Sequence, residues 1–300
     1  IIEPDSKLIE NFEDTIQKID SGNFGKCKLC DDGVEKERLE LDFTTEVCLG
    51  HYSDEKLREL ERDLELASQV QRYLLPYTVP AVKGFEISAH TQAAGIVSGD
   101  YFDFFCSREA HQGFIIADVM GKGMPASILM SNLQATTRIL GPEYREVNLL
   151  TARINELFRY NSKLISFITM FIGKLDSESK ILTYCNAGHS PPVYWESDSQ
   201  TLNWLRPTGP AIGLVHNSEY ENRSLQLKKG DLLLLFTDGL IESRNSSIEE
   251  FGTERLSNFV KTHHKESADV LMRSLIEEVK SFSGEKLFDD MTILMLKVIE

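Results

Sequence analysis

The sequence predicts an α+β fold in which mostly antiparallel sheets are covered by helices on the outside. The first observation is that strand candidates follow one another directly, as in 168–175 and 180–186, which favours hairpins over parallel crossovers. The second is that helical patterns occur without a strict alternation of strand and helix. The third is that a short cysteine-containing segment and a charged helix precede the large region. We therefore expect three parts: 1–52, 53–80 and 81–300.

Short β-rich or alternating apolar runs mark the strands of the large region. They predict strands at 85–91, 101–106, 113–119, 168–175, 180–186, 231–237 and 292–298. Longer apolar repeats with a period of three to four residues mark the helices. They predict helices at 125–140, 146–164, 254–263 and 267–282. Gly141 and Pro142 end the first of these helices because proline cannot continue it.

The composition is that of a globular protein with an acidic balance. Apolar residues make up 41%, and 47 acidic against 32 basic residues give a net charge of −15. This excess argues against binding to nucleic acid or to a membrane surface, because both need a basic face. No apolar run reaches the roughly 18 residues of a membrane span, and no signal peptide is visible. The odd number of cysteines, 5, then predicts a reducing cytoplasmic location.

Residues 53–75 are predicted to form a charged helix with a regular leucine spacing, capped by Ser53. The inner positions of this heptad seam are Leu57, Leu60, Leu64, Ala67, Gln71 and Leu74. Two interpretations remain open. The helix either lies on the large domain or forms a parallel two-helix stem that makes the protein a homodimer. In the second case Gln71 would weaken the pairing and fix its register.

The first segment contains a pattern that is typical of a structural zinc site. Cys27 and Cys30 form one close pair, and Cys48 and His51 form a second after an interval of 17 residues. Thiolate and imidazole ligands suit tetrahedral Zn²⁺, and four protein ligands leave no open position for catalysis. Because 50 residues build little core, the metal would supply much of the folding energy.

This segment resembles the zinc finger of the DksA/TraR family in the stretches IQKIDSGNFGKCKLC, KERLE and EVCLGH. The resemblance covers about residues 8–52 and implies the fold and the zinc. His51 stands where the family usually has cysteine. Family members act on RNA polymerase, but the acidic helical tip that this action needs is not recognisable, so the resemblance does not extend to polymerase binding.

Acids at the ends of apolar strands are the main functional indication in the large region. They are Asp100 before YFDFF, Asp118 at the end of GFIIAD, Asp238 after DLLLLFT, and Asp289 and Asp290 before MTILMLKV. A carboxylate at the point where a buried strand emerges is costly unless it is paired or bound to a cation. Most of these acids have no basic neighbour, which favours a shared metal site. Oxygen ligands select hard cations such as Mg²⁺ or Mn²⁺.

The stretch IADVMGKGMPASILM also contains a Gly-Lys-Gly turn that could cradle a phosphate. It lacks the GxxxxGK[S/T] spacing of a P-loop, because its lysine is followed by glycine. We therefore expect Asp118 to be the functional residue of this stretch. Gly121 and Gly123 would bend the chain into the helix that begins at Pro125.

Five motifs together resemble the SpoIIE/RsbU-type branch of the metal-dependent protein Ser/Thr phosphatases, the PPM family. They are VSGDYFDFF, IADVMGKGMPASILM, NAGHSPP, LFTDGLIESRN and DDMTILML, in this order. With the lead-in LELASQVQRYLLP, the resemblance covers about residues 62–300. It implies an αββα sandwich with a two-metal centre between the sheets, where the ions activate a water for in-line attack on phosphorus.

The resemblance also implies which atoms hold the Mn²⁺ or Mg²⁺ ions. The expected ligands are carboxylates and one carbonyl, from Asp100, Asp118, Val119, Asp238 and Asp289. Asp118 would bridge both ions, and the Val119 carbonyl would support one of them. Asp238 and Asp289 would hold the first ion, whereas Asp100 would help to hold the second.

Weaker candidates in the same motifs are Asp103, Asp290 and His189. We expect the histidine to structure its loop. Met120 stands where eukaryotic relatives carry a histidine that is a proposed general acid, so water or another group would protonate the leaving oxygen. Because no phosphoenzyme is needed, Cys106 and Cys185 are predicted to be core residues.

The sequence thus predicts a protein phosphatase that acts on phosphoserine or phosphothreonine in a regulatory protein. By resemblance, the substrate would be a phosphorylated STAS-domain anti-anti-sigma factor. The alternative is a zinc-finger docking or scaffold protein of the transcription machinery with a regulatory phosphatase domain. The presence of every expected metal-binding aspartate favours the first interpretation.

Overall fold

The computed structural model describes residues 6–161, 167–284 and 287–300. The chain forms two compact units, Ile1–Leu66 and Ala67–Glu300, and helix α3 crosses the boundary between them. Within the described residues, no helix is both long enough and apolar enough to cross a membrane.

The first unit consists of short helices around a very small core. Its elements are α1 (Ser6–Asp20), α2 (Lys36–Leu41), a 3-10 turn (Leu49–His51) and the first part of α3 (Asp54–Leu74). Its described buried core consists of Cys27, Val34 and Cys48. An antiparallel bridge between Lys26 and Gly33 closes the loop that carries the first cysteine pair. A core of this size cannot stabilise the unit by apolar burial alone.

The second unit contains two sheets and their covering helices. Its described strands are β1 (Phe85–Gln92), β2 (Asp100–Cys106), β3 (Gln112–Val119), β4 (Ile168–Asp176), β5 (Ile181–Ala187), β6 (Val193–Glu196), β7 (Thr201–Trp204), β8 (Arg223–Gln226), β9 (Leu232–Phe236) and β10 (Met291–Val298). Its described helices, besides the end of α3, are α4 (Met124–Leu140), α5 (Val147–Asn161), α6 (Asp238–Ile241), α7 (Gly252–His263) and α8 (Ala268–Ser283).

The strands form two five-stranded sheets in the orders β1-β10-β9-β6-β7 and β2-β3-β4-β5-β8. The strand pairs within them are antiparallel. Helices α7 and α8 pack on the first sheet, and α4 and α5 pack on the second. A third apolar cluster, which we call the inter-sheet core, fills the space between the sheets. This four-layer arrangement confirms the predicted α+β sandwich.

Strand β3 shows how the alternation of side chains positions the functional residues. Ile115 and Ala117 face the helices α4 and α5, whereas Phe114 and Ile116 belong to the inter-sheet core. Since successive side chains point to opposite faces, Asp118 lies on the inter-sheet side. A buried apolar strand therefore delivers a carboxylate to the end of the space between the sheets.

Every predicted strand and helix of the large region corresponds to an observed element with shifted ends. The predicted helix 146–164 is observed as α5 up to Asn161, and positions 162–164 lie outside the described residues. The sequence pattern does not predict β6, β7 and β8, because strands of 4 residues are too short to show a period.

The C-terminal end of α3 packs within the second unit. The buried Gln71 side chain donates to the Ser98 carbonyl at 2.7 Å and accepts from the Ser98 N–H at 2.9 Å. On α4, Gln134 and Arg138 both donate to the Leu74 carbonyl at 3.1 Å. The amide of Gln71 is thus used inside its own chain, which corrects the expectation that it fixes the register of a two-helix seam.

Candidate metal centres

Four aspartates of the second unit lie at one end of the inter-sheet core, and we call them the acidic cluster: Asp100, Asp118, Asp238 and Asp289. Asp100 on β2 and Asp118 on β3 are directly opposite each other in the antiparallel pair. Asp238 begins α6 just after β9, and Asp289 lies in the turn before β10. Like charges opposite each other destabilise a sheet, so this pair is stabilised either by a bound cation or by protonation of one carboxyl group.

Gly239 allows Asp238 to approach the turn that carries Asp289. A Cβ atom at position 239 would lie 2.0 Å from the Asp290 carbonyl oxygen and 3.2 Å from that of Asp289. Such distances exclude any side chain, because both neighbours are backbone atoms. The glycine after Asp238 therefore brings two acids from separate segments together.

Val119 is the buried last residue of β3, next to Asp118. Its carbonyl oxygen would lie 3.0 Å from a Cβ atom at Gly99, so the two backbones are in close contact there. Gly121 and Gly123 have φ angles of 105° and 71°, a region that favours glycine. The chain therefore turns directly from the acidic cluster into α4, as the glycine spacing predicts.

The electrostatics of the acidic cluster fit a cation site. Burial, followed by the charge of Asp118, raises the pKa of Asp100 well above its ordinary value. Burial and the neighbouring Asp238 and Asp289 raise the pKa of Asp118 to about 7. Burial and Asp289 also raise the pKa of Asp238. Buried or half-buried carboxylates that repel one another are stabilised by a bound cation, and their oxygen donors suit Mg²⁺ or Mn²⁺.

Thr237 and Thr292 are functional candidates that were not predicted from the sequence. Thr237 lies in the motif LFTDG, and Thr292 lies in the motif DDMT. The Thr237 hydroxyl donates to Asp100 Oδ2 at 2.7 Å and accepts from the Thr292 N–H at 2.9 Å. Thr237 follows β9 and Asp100 begins β2, so this hydrogen bond joins the two sheets at the acidic cluster. It also fixes the orientation of the Asp100 carboxylate.

Replacing Thr237 with Val should weaken Mn²⁺ binding by about 10- to 100-fold, because the variant keeps the shape but removes one of the hydroxyl donors that orient Asp100. Isothermal titration calorimetry measures the affinity, and a thermal melt checks the fold. The matched control is Thr183→Val, since the Thr183 hydroxyl bonds to Ser224 of the edge strand β8. Equal Mn²⁺ affinities of the two variants would contradict this role for Thr237.

Asp103 does not join the acidic cluster. It lies three residues after Asp100 and therefore on the opposite face of β2. There its Oδ2 accepts from Arg138 Nε at 2.7 Å and from the Tyr101 hydroxyl at 3.0 Å. This geometry corrects the weaker expectation that Asp103 is a metal ligand.

Asp290 lies beside the acidic cluster but is occupied by backbone groups. Its two carboxylate oxygens accept from the Ala94 N–H and the Gly99 N–H, each at 2.8 Å. Asp290 thus holds in place the loop that leads into Asp100.

His189 and the two cysteines of the second unit have structural surroundings. His189 is buried, and its Nδ1 lies 2.9 Å from the Thr169 hydroxyl. Its backbone N–H donates to Asn186 Oδ1 at 2.8 Å. Burial lowers the pKa of His189 to about 4, so the ring is neutral near pH 7. Cys185 is buried as predicted, whereas Cys106 is exposed at the end of β2, which corrects the prediction that it is a core residue.

The first unit brings together the four residues of the zinc pattern: Cys27, Cys30, Cys48 and His51. Their ligand atoms lie within 4.8 Å of one another. The Cys30 and Cys48 sulfurs are 3.7 Å apart. A regular tetrahedron with Zn–S bonds of about 2.3 Å has edges of about 3.8 Å, so this spacing fits zinc. The Leu29 N–H also points to the Cys27 sulfur at 3.4 Å.

Arg38 of the segment KERLE and Glu35, which directly precedes this segment, hold the second ligand pair in place. Glu35 Oε1 accepts from the Leu49 N–H at 2.8 Å, and Arg38 Nη1 donates to the Val47 carbonyl at 2.7 Å. Leu49 and Val47 flank Cys48 on both sides. The motif between the two ligand pairs therefore orders the backbone around the second pair.

Comparison with known proteins gives consistent results. The Stage II sporulation protein E (SpoIIE) family matches residues 108–299. The chain is 29% identical over 267 residues to "Phosphoserine phosphatase RsbU" of Bacillus subtilis (strain 168), which covers 86% of this chain and 78% of RsbU.

Solved structures share the fold of the second unit. The SiaA-PP2C domain of Pseudomonas aeruginosa has a TM-score of 0.69 at 20% identity, covering 81% of this chain and 98% of that domain. RsbX, solved in complex with magnesium, has a TM-score of 0.57 at 18% identity, covering 74% of this chain and 98% of RsbX. Because the family match spans more than half of the sequence, the chain belongs to the SpoIIE family, and its second unit is a PP2C-type phosphatase domain.

Proposed function

We propose that this phosphatase uses Mn²⁺ or Mg²⁺ to remove phosphate from phosphoserine or phosphothreonine in a regulatory protein, a STAS-domain anti-anti-sigma factor. The observation that carries the proposal is the acidic cluster, in which burial and neighbouring acids raise the pKa values of the buried Asp100 and of the half-buried Asp118 and Asp238. The name of RsbU, a phosphoserine phosphatase, supports the substrate class. The magnesium complex of RsbX supports the metal.

Each residue of the acidic cluster has a proposed role. Bound divalent ions would activate water and offset the charge of the phosphoryl oxygens. Asp118 faces Asp100 on one side and is coupled to Asp238 and Asp289 on the other, which suits a bridging carboxylate. Asp238 and Asp289 would hold one ion and Asp100 would help to hold the second, while the Val119 carbonyl would support one of the two. Thr237 keeps Asp100 in the orientation that this needs.

Phosphate release from a serine-phosphorylated STAS-domain protein tests the proposal. We expect turnover when Mn²⁺ or Mg²⁺ is added and none when divalent ions are omitted, because the acidic cluster would then lack its cations. A tyrosine-phosphorylated peptide is the matched control. Turnover without divalent ions, or equal turnover of the tyrosine substrate, would contradict the proposed reaction.

We further infer that residues 1–52 form a DksA/TraR-like zinc finger, which holds structural Zn²⁺ through the four ligands described above. Residues 53–80 would form the linker and 81–300 the phosphatase domain, in the cytoplasm. The scaffold alternative, in which the finger is the main functional element, is not favoured by the comparison with RsbU, which is named a phosphoserine phosphatase.

We also infer that the protein forms a homodimer through residues 53–75. Large side chains at intervals of four and three residues face solvent on α3, because Leu66, Val70 and Tyr73 are 59%, 52% and 70% exposed. Such a stripe can pair with the same stripe of a second copy. The solution mass of the unaltered protein and of a Tyr73→Asp variant tests this dimer. If both have the mass of a monomer at micromolar concentration, the dimer is excluded.

A further inference from the structure

Lys122, in the turn between β3 and α4, places a positive charge at the acidic cluster. Its Nζ lies 2.8 Å from Asp289 Oδ2 and donates to the Phe288 carbonyl at 2.9 Å. Burial and the other acids raise the pKa values of Asp118 and Asp238, and the charge of Lys122 acts against this rise. Lys122 is therefore close enough to neutralise part of the cluster.

The contact with Asp289 conflicts with metal binding. A carboxylate oxygen bound to Mg²⁺ lies about 2.0–2.1 Å from the ion. An ammonium group that stays 2.8 Å from the same carboxylate would then face a divalent cation at short range. The two cations would repel each other, so the ion pair and the bound metal oppose one another.

The position of Lys122 allows it to leave. Its side chain is 65% exposed, and that of Asp289 is 37% exposed. Ion pairs of this exposure are weak, and a flexible lysine stem returns to water at little cost. The pair therefore offsets only part of the repulsion among the acids and is weak enough to yield to a divalent ion.

Resting on the proposed metal centre, we propose that Lys122 is an exchangeable counter-cation of the acidic cluster. It pairs with Asp289 when no divalent ion is bound, and it releases this carboxylate when the ion enters. Lys122 thus lowers the affinity of the site for its metal and sets the ion concentration at which the site fills.

Calorimetric titration of Mn²⁺ into the full chain, dialysed free of exchangeable ions, tests this role. We expect Lys122→Met to lower the Mn²⁺ Kd by about two- to fivefold, the range of an exposed ion pair, and Lys122→Arg to remain close to the unaltered protein. The matched control is Lys228→Met, because Lys228 forms a comparable exposed pair with Asp198 at 2.6 Å. Lys228→Met should leave the Kd unchanged.

The outcomes separate this inference from the proposed function. If Asp118→Asn binds Mn²⁺ as tightly as the unaltered chain, the metal is not in the acidic cluster and the proposed centre fails. If binding depends on Asp118 but Lys122→Met binds equally or more weakly, the centre stands and the exchange role of Lys122 is overturned. Lys122→Gln, another neutral variant, repeats the measurement if the methionine variant does not fold.

Discussion

Replacing Asp118 with Asn is expected to lower Mn²⁺-dependent phosphate release by at least about a thousandfold. The carboxylate lies between Asp100 and the Asp238–Asp289 pair, so its loss weakens every part of the acidic cluster. Metal-ion catalysis contributes several kcal/mol, and each 1.36 kcal/mol corresponds to a tenfold change in rate. Phosphate release from the serine-phosphorylated substrate measures the effect.

The same variant should be more stable than the unaltered protein when no divalent ion is present. The pKa of Asp118 is raised to about 7, so ionisation of this group destabilises the folded state above the ordinary pKa of an aspartate. Asparagine removes this repulsion, and each kcal/mol gained raises Tm by about 2–4 °C for a domain of this size. Asp198→Asn, at an exposed ion pair, is the control. Full activity of Asp118→Asn would reject the assignment of the cluster.

Replacing Cys48 with Ser should unfold the first unit while the phosphatase unit keeps its thermal transition. The described core of the first unit contains three residues, and two of them, Cys27 and Cys48, are expected zinc ligands. Structural zinc contributes about 10–16 kcal/mol of binding free energy in comparable small domains. Hydrogen exchange of residues 11–52 in the full chain measures the loss of order.

Cys106→Ser is the matched control for the zinc prediction, because Cys106 is an exposed cysteine of the second unit. It should leave hydrogen exchange and zinc content unchanged. Metal analysis should find one zinc per chain in the control and none in Cys48→Ser. Slow exchange in residues 11–52 of a zinc-free Cys48→Ser protein would show that the first unit folds without the metal.

Much of the phosphatase fold could be predicted from the sequence because its strands are long, β-rich runs with clear ends. The acids at those ends were visible for the same reason, since each interrupts an apolar run. Asp103 could also have been excluded, because a separation of three residues from Asp100 places the two side chains on opposite faces of a strand. The two-residue period of the strand therefore excludes Asp103 from the site, whereas the motif alone does not.

Other features depend on contacts between distant segments and leave no local pattern. The bond of Gln71 to Ser98 and the bond of Thr237 to Asp100 join residues that are 27 and 137 positions apart. The pairing of Lys122 with Asp289 is of the same kind. A single sequence shows that such residues are polar but not which partner they meet.

The position of β10 has a consequence for synthesis of the protein. This strand lies between β1 and β9, and Phe85 pairs with Val298, so the first sheet joins early and late parts of the chain. Contacts of such long sequence separation form late in folding. During synthesis on the ribosome, β1 cannot pair until β10 has been made. Asp289, which directly precedes β10, leaves the exit tunnel only just ahead of it. On the proposed metal assignment, a nascent chain becomes able to remove phosphate from a partner only after synthesis has passed β10.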